Sequence, residues 1–344
     1  MARKVTEENE RIKRRYLQYL REARRADITT VDKAADAILR FERSTGYKTF
    51  KRFHIEQAAT FKRQLSTEKS KTTGTQLSKA TIDGTLRAVK AFILWLAGQP
   101  GYKSRISYSD AEYFNLNAKD ARVAHAERDT PFPTMEQCRH AFAQMPIATP
   151  LQRRDKALFA FLTLTGARDG AIASLRLKHV DLVESCVYQD ARDVKTKFSK
   201  TFTTWFFPVD PVYLQFFREW VYYLRTDQLF GHVDALFPKP QMGLQDGSFA
   251  CLGLSRDTYG NAGRIRAVIK DAFTSAGLPP FRPHSFRKTL GILANTHCRT
   301  PEQFKAWSLN LGHENIATTL SAYCPVSTTR QGELIRDMTK QTAA

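Results

Sequence analysis

Two histidines, an arginine and a tyrosine in the last quarter of the chain are residue types that handle phosphate esters. His284 and Arg287 lie in the run P-H-S-F-R-K-T that begins at Pro283. Three positions apart, they share one face of a helix, so imidazole and guanidinium point to a common spot. His313 follows Gly312, a residue suited to ending a helix, and Tyr323 closes the run T-T-L-S-A-Y that begins at Thr318. A cationic clamp, two imidazoles and a phenol make a kit for handling a phosphate.

These residues can meet only if the preceding elements position them. An apolar helix over Ala157 to Leu164 leads into T-G-A-R-D-G, and Arg168 stands there at the entrance of a further helix. Backbone N–H groups and a guanidinium at such an entrance face the same anion. Val187 to Pro208 alternates and is rich in β-branched and aromatic residues, which predicts two or three short antiparallel strands. Lys195, Lys197 and Lys200 fall in or beside the turn of that small sheet. A helix is expected over Val212–Leu224, a loop-rich span with five glycines over Gly231–Gly260, and a helix over Ala262–Ala276 that leads into His284.

The first half reads as four helices. A basic helix covers about Glu7 to Arg25, and the Thr29–Asp32 segment caps a second that runs to about Ser44. A third spans Ile55 to Leu65, and a polar loop follows from Ser66 to Ser78. In the fourth, opened by Thr81, the residues Leu86, Val89, Ile93, Leu94 and Leu96 recur at helical spacing up to Gly98. Periodicity then fades between about Tyr113 and Pro133, which marks a linker. Thr134, with Gln137 three residues on, has the form of a capping box that opens the next helix. The expected domains are 1–125, with a linker to about 133, and 134–344.

Composition fits a folded two-domain protein: 344 residues with 42% hydrophobic content. Lysine and arginine number 53 against 34 acidic residues, a formal charge of +19, which points to a polyanionic partner and to nucleic acid first. No apolar run approaches the roughly 20 residues that span a bilayer, and the N-terminus lacks the apolar core of a secretion signal. A cytoplasmic, nucleoid-associated location follows as the expectation. Cys138, Cys186, Cys251, Cys298 and Cys324 are scattered singly, without metal-ligand spacing, and are expected to be reduced thiols, mostly in the core.

The ordered set Arg168, a hairpin lysine, His284-x-x-Arg287, Leu311-Gly312-His313 and Tyr323 resembles the tyrosine recombinase, or phage integrase, family. The second half matches closely. The first half matches more loosely, as a core-binding (SAM-like) domain whose last helix resembles the L-S-K-A-T-I-D-G-T-L-R-A-V-K-A-F-I-L-W-L stretch. Taken singly, each site residue has an ordinary structural reading, such as a salt-bridged arginine or a half-buried tyrosine. All six in this order do not.

The resemblance implies a mainly α protein: a four-helix DNA-clasping domain, then a helical catalytic domain with a small antiparallel sheet, the two-domain Cre/Xer type. It implies a site-specific recombinase that cuts and rejoins double-stranded DNA through a 3′-phosphotyrosyl intermediate, with no cofactor, metal or ATP. By that resemblance Arg168 and Arg287 grip the non-bridging oxygens, Tyr323 attacks, His284 accepts the phenolic proton, the lysine protonates the departing 5′ oxygen and His313 donates to the phosphoryl group. It further implies a homotetramer on DNA, with a place for accessory DNA-bending proteins, and a helix over Val326–Met338 that docks on a neighbouring protomer through Leu334, Ile335 and Met338.

Three points stand apart from the pattern. Phe286 and Lys288 replace an apolar residue and a histidine that the family commonly has in this box. Lys195, which precedes a threonine, is the first choice for the lysine, with Lys197 second and Lys200 third, because turn register is not fixed by sequence. The four-helix module begins so near residue 1 that no room is expected for an additional arm-binding domain. A type IB topoisomerase would use a similar site but relax plasmids of any sequence. A non-catalytic DNA-binding regulator would not need Tyr323, and RNA recognition lacks its usual aromatic stacking motifs.

Overall fold

Helices, many of them capped, are the main elements of the computed structural model, which describes residues 6–71, 73–126, 130–196, 200–245, 247–313, 320 and 328–341. The chain divides into two compact units, Met1–Asp129 and Thr130–Ala344.

The first unit contains α1 (Glu7–Glu22), α2 (Ile28–Ser44), α3 (Ile55–Thr67) and α4 (Lys79–Ala97). Leu86, Val89, Ile93 and Leu96 of α4 are buried against Ile38 and Phe41 of α2 and Phe61 and Leu65 of α3 in one core. The buried Glu42 carboxylate is satisfied from α1, accepting from Asn9 Nδ2 at 2.8 Å and from Lys13 Nζ at 2.5 Å. Two helix starts differ from the sequence expectation. Asp27, not the Thr29–Asp32 segment, caps α2 by accepting from the Thr30 N–H, and Ser78 caps α4 by accepting from the Thr81 N–H.

The stretch expected to be a linker, Tyr113 to Pro133, instead takes up the end of a 3-10 turn (Tyr108–Phe114) and a short helix, α5 (Ala118–His125). Asn117 caps α5, and Lys79 pairs with its Asp120 at 2.9 Å. No residue of α5 is buried, so the helix has no apolar period for a sequence reading to find.

The second unit begins with α6 (Met135–Gln144), opened by the expected box: the Gln137 N–H donates to Thr134 Oγ1, and the Thr134 N–H donates to Gln137 Oε1. Helix α7 (Pro150–Thr165) is longer than its apolar run, because Thr149 caps it and Pro150 occupies its first turn. Every residue of α7 from Ala157 to Thr165 is buried, which makes it the central helix of this core. The short α8 (Asp169–Ile172) follows, then an antiparallel sheet in the order β1-β2-β3, with β1 (Val180–Asp181), β2 (Cys186–Gln189) and β3 (Phe202–Trp205).

After α9 (Pro211–Thr226) comes a departure from expectation. The glycine-rich span holds a second hairpin, β4 (Pro240–Gln245) paired with β5 (Ser248–Leu254). Its side chains do not alternate cleanly, and Leu244 and Phe249 are exposed, so the burial pattern that betrays most strands is missing. Helices α10 (Gly263–Ser275), α11 (Ser285–His297) and α12 (Pro301–Asn310) complete the unit, with a C-terminal helix over Thr328–Gln341.

Tyr323, Cys324 and Lys197 lie outside the described residues, as do the side chains of Leu334 and Met338. Of the four described cysteines only Cys138 is fully buried, which corrects the expectation that most are core; burial pushes its thiol pKa up. Among the described residues, no helix is long and apolar enough to cross a membrane, and no cluster of His, Cys, Asp and Glu could hold a metal ion.

Candidate active site

The C-terminal end of α7 starts the site. Gly166 ends this helix in the left-handed region (φ +57°), and its N–H donates to Leu162 O. The carbonyl of Gly166 then points at Arg287, whose Nη1 donates to it at 2.8 Å. A Cβ at Gly166 would lie 2.9 Å from Leu290 Cδ1, so α11 packs directly on this turn.

Arg287 sits on the first turn of α11 with only 3% of its surface exposed. Its Nη2 also donates to Leu311 O and lies 3.0 Å from His313 Nε2. One planar guanidinium therefore ties together the end of α7, the end of α12 and the histidine turn, a task suited to its rigid fork. A guanidinium only donates, so Nε2 of His313 is the acceptor and the ring proton sits on Nδ1.

Gly312 takes the left-handed conformation (φ +71°) that lets α12 end and His313 turn back, as the sequence suggested. A Cβ there would be 3.2 Å from the Phe202 ring and 3.8 Å from Arg168 Nη1. Arg168 itself is the N-cap residue of α8 and is half-buried. His284 occupies the N-cap position of α11 and makes no side-chain capping bond. The structure thus brings Arg168, His284, Arg287 and His313 to one place.

The field there is strongly positive. Burial, then the charges of Arg287, Arg168 and His284, push the His313 pKa down from 6.5 to about 4. The ring is neutral at neutral pH in the DNA-free chain. Below a pH of about 6.5 the unfolded chain takes up this proton and the folded chain does not, so stability that is fully present above about 6.5 is lost as pH falls toward about 4. The thermal midpoint of wild type should therefore drop further between pH of about 7 and about 5 than that of His313→Gln. An equal drop in both would show that His313 does not carry this dependence.

Lys195 lies on the loop between β2 and β3, exposed, with its Nζ donating to Gly260 O at 2.7 Å and its own N–H donating to Ser174 Oγ at 2.9 Å. The described structure does not bring its ammonium to the His313 cluster. Lys200 is half-buried just before β3. Lys288 stacks its ammonium over the Phe132 ring at 4.7 Å.

Residues 134–330 match the family model described as Phage integrase family. The chain belongs to the phage integrase family, the tyrosine recombinases. It is an enzyme of site-specific DNA recombination, mainly helical, with a helical region ahead of the catalytic domain. Among solved structures it is similar to a lambda integrase fragment captured as a dimer on a COC' core site, at 11% identity over 91% of this chain and 94% of that one, with a TM-score of 0.62. It is also similar to a Tn1549 transposon integrase fragment in complex with transposon right end DNA, at 18% identity over 97% and 99%, with a TM-score of 0.60. At these identities the likenesses speak for the fold. No curated protein matches the chain.

In this recombinase the sequence reading missed Asn310, the last residue of α12. Its side-chain amide bonds twice to the backbone of Trp205, at 2.7 and 2.9 Å. Only its position directly before L-G-H set it apart in the sequence.

Proposed function

We propose that Arg168, His284, Arg287 and His313 form the phosphate site at which Tyr323 cleaves one DNA strand. The observation that carries this reading is the Arg287–His313 contact at 3.0 Å, with Arg168 beside the same turn. Charge builds on the non-bridging oxygens as phosphorus becomes five-coordinate, and the two guanidinium forks supply fixed donors for it. An arriving phosphate also reverses the local field at His313, so a ring held neutral by cations becomes easier to protonate and can donate to the phosphoryl group.

Tyr323 Oη attacks phosphorus, its proton passing to His284, while the bond to the 5′ oxygen breaks and that oxygen takes a proton from the lysine. One phosphoester replaces another, so the bond energy is kept in the phosphotyrosine and no ATP is consumed. Attack by a second strand's 5′ hydroxyl reverses each transfer. The test is a nicked suicide duplex carrying the element's junction sequence, run on wild type and Tyr323→Phe. A covalent band lost only in the variant supports the reading; its absence from wild type on an authentic site sinks it.

The lysine is proposed to be Lys195, which must leave Gly260 O to reach the departing oxygen. Lys195→Ala should slow cleavage by about 10²-fold or more, as for other general acids, with Lys197→Ala near wild type. The opposite ranking in a single-turnover assay moves the role to Lys197.

The first unit is proposed to act as the core-binding clasp on DNA, and the active assembly to be a homotetramer with room for accessory DNA-bending proteins, working on the nucleoid in the cytoplasm. An apolar groove of about 770 Å³, flanked by Phe202, Trp205, Phe207, Trp307 and Leu309, supports docking of a neighbour's C-terminal helix. Ile335 on that helix is 58% exposed. Truncation after Ser327 should leave the folded monomer and its single-site DNA binding intact but weaken synapsis about tenfold or more, as expected when a linked contact is lost. Full-rate recombination by the truncated protein would rule the docking out.

A further inference from the structure

Among the described residues, strand β3 lies at the edge of its sheet, with β2 on one side. Phe206, just past its end, donates its N–H to Ser185 O on the β2 side, whereas the N–H and carbonyl of Trp205 point the other way. There the side chain of Asn310 takes the place of a fourth strand. Trp205 N–H donates to Asn310 Oδ1 at 2.7 Å, and Asn310 Nδ2 donates to Trp205 O at 2.9 Å. An amide offers one donor and one acceptor at the spacing of a peptide group, so it pairs with a strand edge as another strand would.

A second grip lies beside the first. Thr204 Oγ1, itself receiving a bond from Gln189 Nε2 at 3.1 Å, is directed at the backbone carbonyl of Asn310 at 3.4 Å. Both Gln189 and Thr204 are buried, so neither loses these partners to water. At the other end of the strand, the Phe202 ring backs Gly312. The turn held in this way is Leu311-Gly312-His313, whose Leu311 carbonyl and His313 ring both meet Arg287.

We propose that Asn310 is a positioning residue of the active site: by pairing with the free edge of β3 it holds the His313 turn against Arg287. The proposal rests on the reading of His313 as a phosphate-contacting residue. Capping an edge strand would be reason enough for a polar residue here. The location is what gives it a further consequence: the capped strand follows the loop that carries Lys195, and the capping residue precedes the turn that carries His313. Asn310 therefore ties both of these parts of the site to one strand.

The test is single-turnover formation of the covalent complex on a suicide duplex at saturating protein, with DNA affinity measured separately. Asn310→Ala should slow formation about tenfold to a hundredfold, as a misplacement of about 1 Å can, with the Kd for the duplex changed less than about threefold. In a His313→Ala background the same substitution should add less than about twofold, because the residue acts through that ring. In the DNA-free protein, NMR titration of His313 should give a pKa that rises from about 4 toward 6.5 in Asn310→Ala as the ring leaves the two arginines. Should the alanine variant not fold, Asn310→Ser, which gives up the paired donor and acceptor to Trp205 without adding a charge, carries the same comparisons.

A wild-type rate with an unmoved His313 titration overturns the proposal. So does a rate loss of equal size in both backgrounds, which would place the effect elsewhere than His313. If wild type forms no covalent complex at all, the phosphate reading fails, and the titration alone decides whether Asn310 positions the ring.

Discussion

Tyr323→Phe is expected to abolish covalent capture of DNA, by a factor on the order of 10⁴ or more, while DNA affinity stays within about twofold of wild type. The substitution removes one oxygen and keeps the ring, so packing and DNA contacts are disturbed little. What is lost is the only atom that can form the phosphoester. Water reaching the same phosphorus would leave a nick without attached protein, and the two products separate on a denaturing gel. Other tyrosines are poor substitutes: Tyr213 is fully buried and its phenol pKa is pushed up by desolvation, and burial likewise raises that of Tyr259. A covalent band that persists in Tyr323→Phe would mean that a different nucleophile serves this site.

Tyr323 lies outside the described residues, and its role stands on its place in the motif order. For the other residues the sequence was informative in proportion to how local the signal is. His284 and Arg287 share a helix turn, and Gly312 must adopt positive φ for His313 to follow α12; both follow from short-range rules. Arg168 was legible because T-G-x-R places it after a left-handed glycine. The lysine was not, because its reach depends on a loop whose register no local rule sets, and Lys195 turns out to be bonded to a carbonyl 65 residues away.

The same contrast runs through the fold. Helices with a buried stripe, such as α4, were read nearly to their ends, and α6 was found at its first residue from its capping box, whereas the box that opens α7 at Thr149 was passed over because the apolar run begins only at Ala157. Helix α5 and the β4–β5 hairpin were missed because neither presents the alternation of buried and exposed residues on which periodicity depends. Asn310 was missed for another reason. Its partner is a backbone edge 105 residues earlier in the chain, and a side chain that pairs with backbone leaves no complementary residue type to look for.

Arg287 should show the second-largest effect, and its two substitutions separate chemistry from stability. Arg287→Ala removes the donor from two buried carbonyls, Gly166 O and Leu311 O, and each carbonyl left without a partner costs about 1–3 kcal/mol. In a unit of this size each kcal/mol lowers the thermal midpoint by about 2–4 °C, so a measurable destabilisation is expected. Cleavage should fall by about 10³–10⁵, the range seen when a guanidinium that stabilises a phosphoryl transition state is withdrawn. Arg287→Lys keeps the charge, but one ammonium cannot reach both carbonyls and the His313 ring from a single position. It should restore part of the phosphate attraction, and hence DNA affinity, yet recover little of the rate. Arg168→Ala supplies the comparison, since Arg168 is half-buried at the start of a short helix and should lose cleavage to a similar degree with a smaller drop in midpoint. If Arg287→Lys cleaves at the wild-type rate, the fork geometry is not what the site uses. If Arg287→Ala melts with wild type, the carbonyl bonds do not hold the three chain segments together as the structure indicates.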